Sequence, residues 1–331
     1  MDKKTLEKLG LKIGHFTDLE NLTGSTVFIA EKGAEIGIEI RGSWPGFISA
    51  PYFGPKSSST STNSIILSGG STHGMLESVS GAFQYMEEKG IGTPTRAGSI
   101  PYITASTIYD LSVLMGKKKA SKKDGYEAAK NASYTNVTQG NIGVGTGATT
   151  GKWFKGKFIK GGFGMAVTKL PNDILVGAFV VTNSVGDVVN PNNNKFYSDI
   201  GDFDLDKKII DRKKDSLYGL IDMAQMNTTL AVIATNAAIN NFQLMKVAEL
   251  AHDGMARAIM PVHTMMDGDI VFAVSSHNGE RKDISYMNPL TQVDMIGLGA
   301  ADALMKAIKN SILNAKAIGN FPAYKKTLRA D

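Results

Sequence analysis

A layered α+β fold with antiparallel strands is the architecture this sequence predicts, on three observations. Strand-like segments come in adjacent pairs, the helical segments are grouped between those pairs, and the regular strand–helix alternation that builds a parallel sheet is missing. The chain has 331 residues, 42% of them hydrophobic, enough to bury a substantial core.

Thr26–Ala30 and Glu35–Arg41 alternate apolar and polar residues between glycines, which predicts two strands. A Pro-, Gly- and Ser-rich loop covers Ser43–Asn63, with a serine-rich tract at Ser57–Ser61. Ile65–Ser68 reads as a buried strand. Gly69-Gly70-Ser71-Thr72-His73-Gly74 then opens a helix, because Met75, Val79, Phe83 and Met86 recur at helical spacing. Gly140–Gly151 is a glycine-rich loop. Lys157–Leu170 and Ile174–Asn183 read as two strands joined by the turn Pro171-Asn172-Asp173. The charged stretch Asp204–Gln225, with a helical middle, leads to the strand Thr229–Thr235. From Asn240 to Ala256, Leu244, Val247, Ala248, Ala251 and Met255 mark a helix with an asparagine at its start. The turn Asp267-Gly268 feeds the strand Ile270–Ser275. In the last helix Asn288 is the predicted N-cap and Pro289 the first-turn proline, with Leu290, Val293, Ile296, Leu304, Ile308 and Ile312 on one face.

Composition narrows the chemistry. With no cysteine, disulfides, thiolate metal sites and cysteine nucleophiles are excluded, so covalent catalysis must use an oxygen or an amine. The net charge is +5, but the basic runs Lys117–Lys119 with Lys122–Lys123, and Lys207–Lys214, lack interleaved aromatics. They read as solvated faces, and no nucleic-acid partner is expected. The longest apolar stretches, around Ile174–Thr182 and Leu230–Ile239, fall short of the ~20 residues of a membrane helix. The opening Met1-Asp2-Lys3-Lys4-Thr5 leads into a polar amphipathic segment, and a cytoplasmic location is the expectation.

Three segments invite a chemical interpretation. Gly143–Lys152 resembles a phosphate loop superficially, but the glycine spacing is wrong and Trp153 stands where a magnesium-binding hydroxyl belongs. His263 with Asp267 and Asp269 has metal-ligating side chains; a satisfied histidine beside a turn aspartate is the more economical account, and no metal is expected. Asn227-Thr228-Thr229 is the informative one, joining a charged segment to an apolar strand. If the Asn227–Thr228 bond breaks, Thr228 becomes a chain end with a hydroxyl nucleophile and an α-amine whose reference pKa of ~8 suits a general base.

A series of motifs supplies context: Thr23-Gly24-Ser25-Thr26-Val27, Ile40-Arg41-Gly42, Leu67-Ser68-Gly69-Gly70-Ser71, Ile108-Tyr109-Asp110, Gly145-Thr146-Gly147-Ala148, Asn183-Ser184-Val185-Gly186-Asp187, Asn227-Thr228-Thr229-Leu230 and Asp267-Gly268-Asp269-Ile270-Val271-Phe272. In this order, across nearly the whole chain, they resemble the family of L-aminopeptidase/D-esterases, β-peptidyl aminopeptidases and nylon-oligomer (6-aminohexanoate oligomer) hydrolases. The resemblance implies a four-layer αββα sandwich of the N-terminal-nucleophile type, one domain over residues 1–331. It implies self-cleavage into 1–227 and 228–331, the latter of 331 − 227 = 104 residues. It also implies Thr228 as nucleophile, Asn183 in the oxyanion hole, Tyr109 as a further donor, Lys152 as charged partner of the hydroxyl, and Asp267 and Asp269 as groups orienting Thr228 and its amine. No metal or organic cofactor is implied, and a homo-oligomer, a tetramer of αβ units, is. Substrates would be short peptides, β-peptides, amino-acid amides or 6-aminohexanoate oligomers. Some relatives cut before serine after glycine, so Asn227-Thr228 and the two-aspartate turn stand closer to the nylon-oligomer hydrolases. His73 stands where an aromatic residue is common. Two other readings are kept open: acyl transfer of the ornithine acetyltransferase type, and an uncleaved scaffold.

Overall fold

The computed structural model describes residues 1–49, 61–111, 119–135, 137–153, 158–191, 193–199, 227–286, 288 and 291–324. The charged stretch 204–225 and Pro289 lie outside them. The first half of the chain carries α1 (Lys3–Leu9), β1 (Lys12–Asp18), β2 (Thr23–Ile40), β3 (Phe47–Ser49), β4 (Ser61–Ser68), α2 (Ser71–Glu88), β5 (Thr93–Thr95), β6 (Gly98–Ile100), β7 (Ile103–Thr107) and α3 (Lys122–Lys130). The second carries β8 (Thr149–Thr150), β9 (Ile159–Lys160), β10 (Gly162–Lys169), β11 (Leu175–Asn183), β12 (Thr228–Thr235), α4 (Asn241–Ala258), β13 (Ile270–Ser276) and α5 (Gln292–Leu313).

Strand alternation sorts the apolar residues into separate cores, and the cores define the layers. In β11, Val176, Ala178 and Val180 face one core and Leu175, Phe179 and Val181 another. β12 divides the same way, with Ala231 and Ile233 opposite Leu230, Val232 and Ala234, and so does β13, with Val271 and Ala273 opposite Ile270, Phe272 and Val274. The first set packs under α4 and α5, through Leu244, Val247, Ala248, Leu304 and Ile308. The second set meets Phe28, Ile65 and Leu67 of β2 and β4 in an inter-sheet core, where the Phe28 and Phe179 rings make an edge contact at 5.5 Å. The opposite faces of β2 and β4, with Val27, Ile29 and Ile66, pack under Met75, Ala82 and Met86 of α2 and Ala128 and Ala129 of α3. The order is therefore α4/α5, sheet, sheet, α2/α3: a four-layer αββα sandwich. Truncating one of the shared inter-sheet phenylalanines would cost ~3–5 kcal/mol.

Strand β2 belongs to both sheets. Its first part pairs with β1 and β4 and its last part with β13, with a register shift between Ile29 and Ala34. The two strands expected from the sequence, over 26–30 and 35–41, are thus one, Thr23–Ile40. Gly33, at φ +85, lies within the irregularity, and pairing continues on either side of it. The turn Pro171–Asp173 does join two antiparallel strands, β10 and β11. α4 starts at the expected place, with Asn240 and Gln243 forming a reciprocal capping box. α5 begins later than expected, at Gln292, with the Thr291 and Gln292 amides both on the Asn288 carbonyl.

β12 runs antiparallel to β11 and parallel to β13. The end of β11 at Asn183 and the start of β12 at Thr228 are register partners, and the start of β13 at Ile270 lies beside Leu230. That geometry gathers three widely separated segments at one end of the sheet. Among the described residues, no helix is long and apolar enough to cross a membrane.

Candidate active site

Thr228 opens β12 and is 4% exposed. Its hydroxyl donates to the carbonyl oxygen of Asn227 at 2.5 Å, so the candidate nucleophile already lies against the carbonyl it would attack. Asn227 forms a parallel bridge with Asp267, in which its N–H reaches the Met266 carbonyl at 3.2 Å and its own carbonyl accepts from the Gly268 N–H at 2.9 Å. The turn 267–269 thus holds the bond that precedes the strand.

Both aspartates of that turn are 1% exposed and act as acceptors. Asp267 Oδ1 accepts from the Val185 N–H at 3.0 Å, and Oδ2 accepts from the Thr264 N–H at 3.2 Å and hydroxyl at 2.6 Å. Burial, then the neighbouring Asp269 charge, pushes the Asp267 carboxyl up to about 6. Asp269 Oδ1 accepts from the Thr229 N–H at 2.7 Å, one peptide unit beyond the nucleophile. Its Oδ2 meets His263 Nδ1 at 2.8 Å. His263 packs edge-on against the buried His252, their centroids 4.7 Å apart. The sequence reading that treats His263 as the partner of a turn aspartate describes this contact.

The other wall comes from β11 and the glycine-rich loop. Lys152 is buried, and its ammonium donates to Asn183 Oδ1 at 3.0 Å and to the Thr149 carbonyl at 2.7 Å. Burial pushes its pKa down to about 7 against the opposing pull of Asp267. Asn183 Oδ1 also accepts from the Thr149 N–H at 3.0 Å, while its Nδ2 donates to the Tyr109 carbonyl at 3.1 Å. Tyr109 is therefore tied to the site through its main chain, whose carbonyl takes one of the two Asn183 amide N–H groups. Asp110 next door accepts from the Gly70 N–H at 2.7 Å and the Thr23 hydroxyl at 2.8 Å, and burial raises its carboxyl to about 6.

The fold brings Asn227, Thr228, Asp267 and Asp269 into direct or adjacent contact, with Asn183 opposite Thr228 and Lys152 and Tyr109 bonded to Asn183. Sequence reasoning missed three contributors. Gly268 acts through a main-chain N–H, which leaves no side-chain signature. Thr264 secures Asp267 by local turn geometry. Lys160 is buried on β9 and donates to the Ala148 carbonyl, with burial pushing it down to about 7, yet it belongs to no motif.

Solved structures place this architecture. The L-aminopeptidase D-Ala-esterase/amidase of Ochrobactrum anthropi, described as a variant of the Ntn hydrolase fold, superposes with a TM-score of 0.68 at 18% identity, covering 97% of this chain and 89% of that one. The PH0078 protein of Pyrococcus horikoshii gives 0.68 at 20% identity, covering 99% and 93%. The fold is thus that of the Ntn-hydrolase aminopeptidases. Residues 9–324 match peptidase family S58, and the chain belongs to that family. It is a hydrolase acting on amide bonds. An uncharacterized aminopeptidase of Mycobacterium tuberculosis is 31% identical over 336 residues, covering 96% of this chain and 95% of its own. The 6-aminohexanoate-oligomer endohydrolase of Paenarthrobacter ureafaciens is 28% identical over 275 residues, covering 81% of this chain and 73% of its own.

Proposed function

We propose that this hydrolase cuts its own chain between Asn227 and Thr228 and then uses the freed Thr228 as an N-terminal nucleophile. The observation that carries this reading is the buried Thr228 hydroxyl lying 2.5 Å from the oxygen of the very carbonyl whose bond must break. An internal threonine has no attached base, whereas a terminal one has its own α-amine. Asp267 forms a bridge with Asn227, and Asp269 accepts from the Thr229 N–H, so both buried carboxyls flank the junction, where they would orient the new amine by accepting from its N–H groups. Asn183 and Lys152 form the opposite wall. With them on one side and the aspartates on the other, acylation and deacylation proceed at a fixed, desolvated hydroxyl.

The substrates proposed are short peptides, β-peptides, amino-acid amides or 6-aminohexanoate oligomers, by kinship with the aminopeptidase and endohydrolase relatives. Assembly into a homo-oligomer of cleaved units belongs to the same proposal. Intact-mass analysis under denaturing conditions tests the core of it. The wild type is expected to yield two species of 227 and 331 − 227 = 104 residues, and Thr228→Ala one of 331. A wild type that hydrolyses amides at full rate while staying whole would overturn the mechanism. Amine release from dipeptides, β-dipeptides and 6-aminohexanoate oligomers then ranks the substrates, and light scattering reads the assembly.

A further inference from the structure

We propose that the main-chain N–H of Gly268 is the oxyanion donor at this site, serving Asn227 during self-cleavage and then the substrate carbonyl that takes its place. The inference rests on the proposed role of Thr228 and deepens it. Gly268 N lies 2.9 Å from the Asn227 carbonyl oxygen, the same atom that the Thr228 hydroxyl approaches. Asn183, the side chain expected to donate here, has one of its two amide N–H groups on the Tyr109 carbonyl, so the Gly268 N–H is the donor seen on the Asn227 carbonyl oxygen.

The donor is fixed before any reaction begins. Asp267 on one side is held by Val185 and Thr264, and Asp269 on the other by Thr229 and His263. The carbonyls of the same turn accept from the loop after β2: Trp44 N–H on Asp267 at 3.0 Å, and Arg41 and Gly42 N–H on Asp269, both at 3.1 Å. A donor clamped in this way needs no reorganisation when charge develops in front of it. Only glycine fits. A Cβ at 268 would lie 2.5 Å from the Trp44 carbonyl oxygen and 2.9 Å from Thr228 Oγ1, in the space the nucleophile occupies.

Atoms and charge balance at each step. Thr228 Oγ bonds to the Asn227 carbonyl carbon, the negative charge on the carbonyl oxygen points at the Gly268 N–H, the C–N bond breaks, and the hydroxyl proton ends on the Thr228 nitrogen. Water then adds its hydroxyl to the ester carbon through a second oxyanion at the same place, the C–Oγ bond breaks, and the water proton ends on Oγ. When Asn227 withdraws, the N–H faces the position in which a substrate carbonyl lies against Oγ, and the sequence repeats on substrate.

Replacing the Gly268 N–H by an ester oxygen, through ribosomal incorporation of the α-hydroxy acid, tests the donor without adding a side chain. Self-cleavage followed by intact mass should slow about 100- to 1000-fold. The same exchange at Ala238, whose N–H reaches the Lys282 carbonyl at 2.8 Å beyond the far end of β12, should leave the rate near wild type. A wild type that never cleaves would sink the reading of Thr228. A wild type that cleaves, together with a Gly268 ester that cleaves equally fast, would sink this inference alone. NMR supplies a second route that needs no variant. Asp-Gly pairs occur only at 124–125, 253–254 and 267–268, so labelling with carbonyl-¹³C aspartate and ¹⁵N glycine leaves three amides, and the signals lost in Asp124→Asn and Asp253→Asn identify the Gly268 one by elimination. Its proton should move downfield when a peptide aldehyde forms its tetrahedral adduct on Thr228, and an unmoved signal in the presence of adduct refutes the assignment.

Discussion

Asp267 receives an N–H from Val185, an N–H from Thr264 and a hydroxyl from Thr264, so each of its oxygens is already matched to a donor. Protonation sets a donor against donors, and the turn that carries Gly268 must then shift. With its carboxyl raised to about 6, self-cleavage is expected to fall as the pH drops below about 6. An intact-mass time course between pH 5 and 8 checks this, and a flat profile would remove Asp267 from the mechanism. Stability depends on pH in the opposite sense from that of an ordinary paired carboxylate. The folded value lies above the ordinary 3.8, so the folded chain holds this proton more tightly, and the Asp267 contribution to stability declines as pH rises from about 4 to about 6. Asp267→Asn, measured by denaturant unfolding in the uncleavable Thr228→Ala background, should make stability rise more steeply with pH across that window. It should also cost ~1–3 kcal/mol, because the amide end of asparagine faces donors.

The glycine-rich loop before β9 does for Asn183 what the 267–269 turn does for Asn227. Ala148 is held by the Lys160 ammonium and by the Gly161 N–H at 3.0 Å, and Thr149 beside it gives its N–H to Asn183 and its carbonyl to Lys152. Lys160 thus positions the Lys152–Asn183 pair from behind, as a buried cation bonded to neutral carbonyls. Its pKa of about 7 lies below the ordinary 10.5, so the folded chain releases this proton more readily. The penalty is fully present below about pH 7 and is relieved as pH rises toward the ordinary value. Unfolding free energies of wild type and Lys160→Met, compared at pH 7 and pH 10, should therefore diverge in favour of wild type at the higher pH. An unchanged difference would mean that Lys160 keeps its ordinary pKa in the folded chain. A lysine in a short strand among glycines carries no periodic signal, so this arrangement is not legible in the sequence.

At the scale of the molecule, strand content was legible and layering was not. Leu230–Ala234 is apolar at successive positions, which announces a strand buried on both faces without saying what covers either. The αββα order entered through the resemblance of the motifs, as did the grouping of Thr228, Asn183, Lys152 and the two aspartates, since residues from β11, β12 and the turn before β13 meet only through sheet register. That same register predicts the fate of the two fragments after scission. β12 and β13 would belong to the 228–331 fragment, yet β12 pairs along its whole length with β11, from Thr228–Asn183 to Thr235–Val176, and β13 pairs with β2 from Ile270–Ile40 to Ser276–Ala34. The 1–227 fragment therefore supplies a neighbour on each side. The fragments also share the inter-sheet core, in which Phe179 and Phe28 from one meet Val232 and Phe272 from the other. Cleaved protein should therefore elute as a single native species containing both fragments and unfold in one cooperative transition, separating only in denaturant. Native and denaturing mass spectra of the same sample decide the matter: loss of the 104-residue fragment in native buffer would mean that the central strands are held less firmly than their pairing implies.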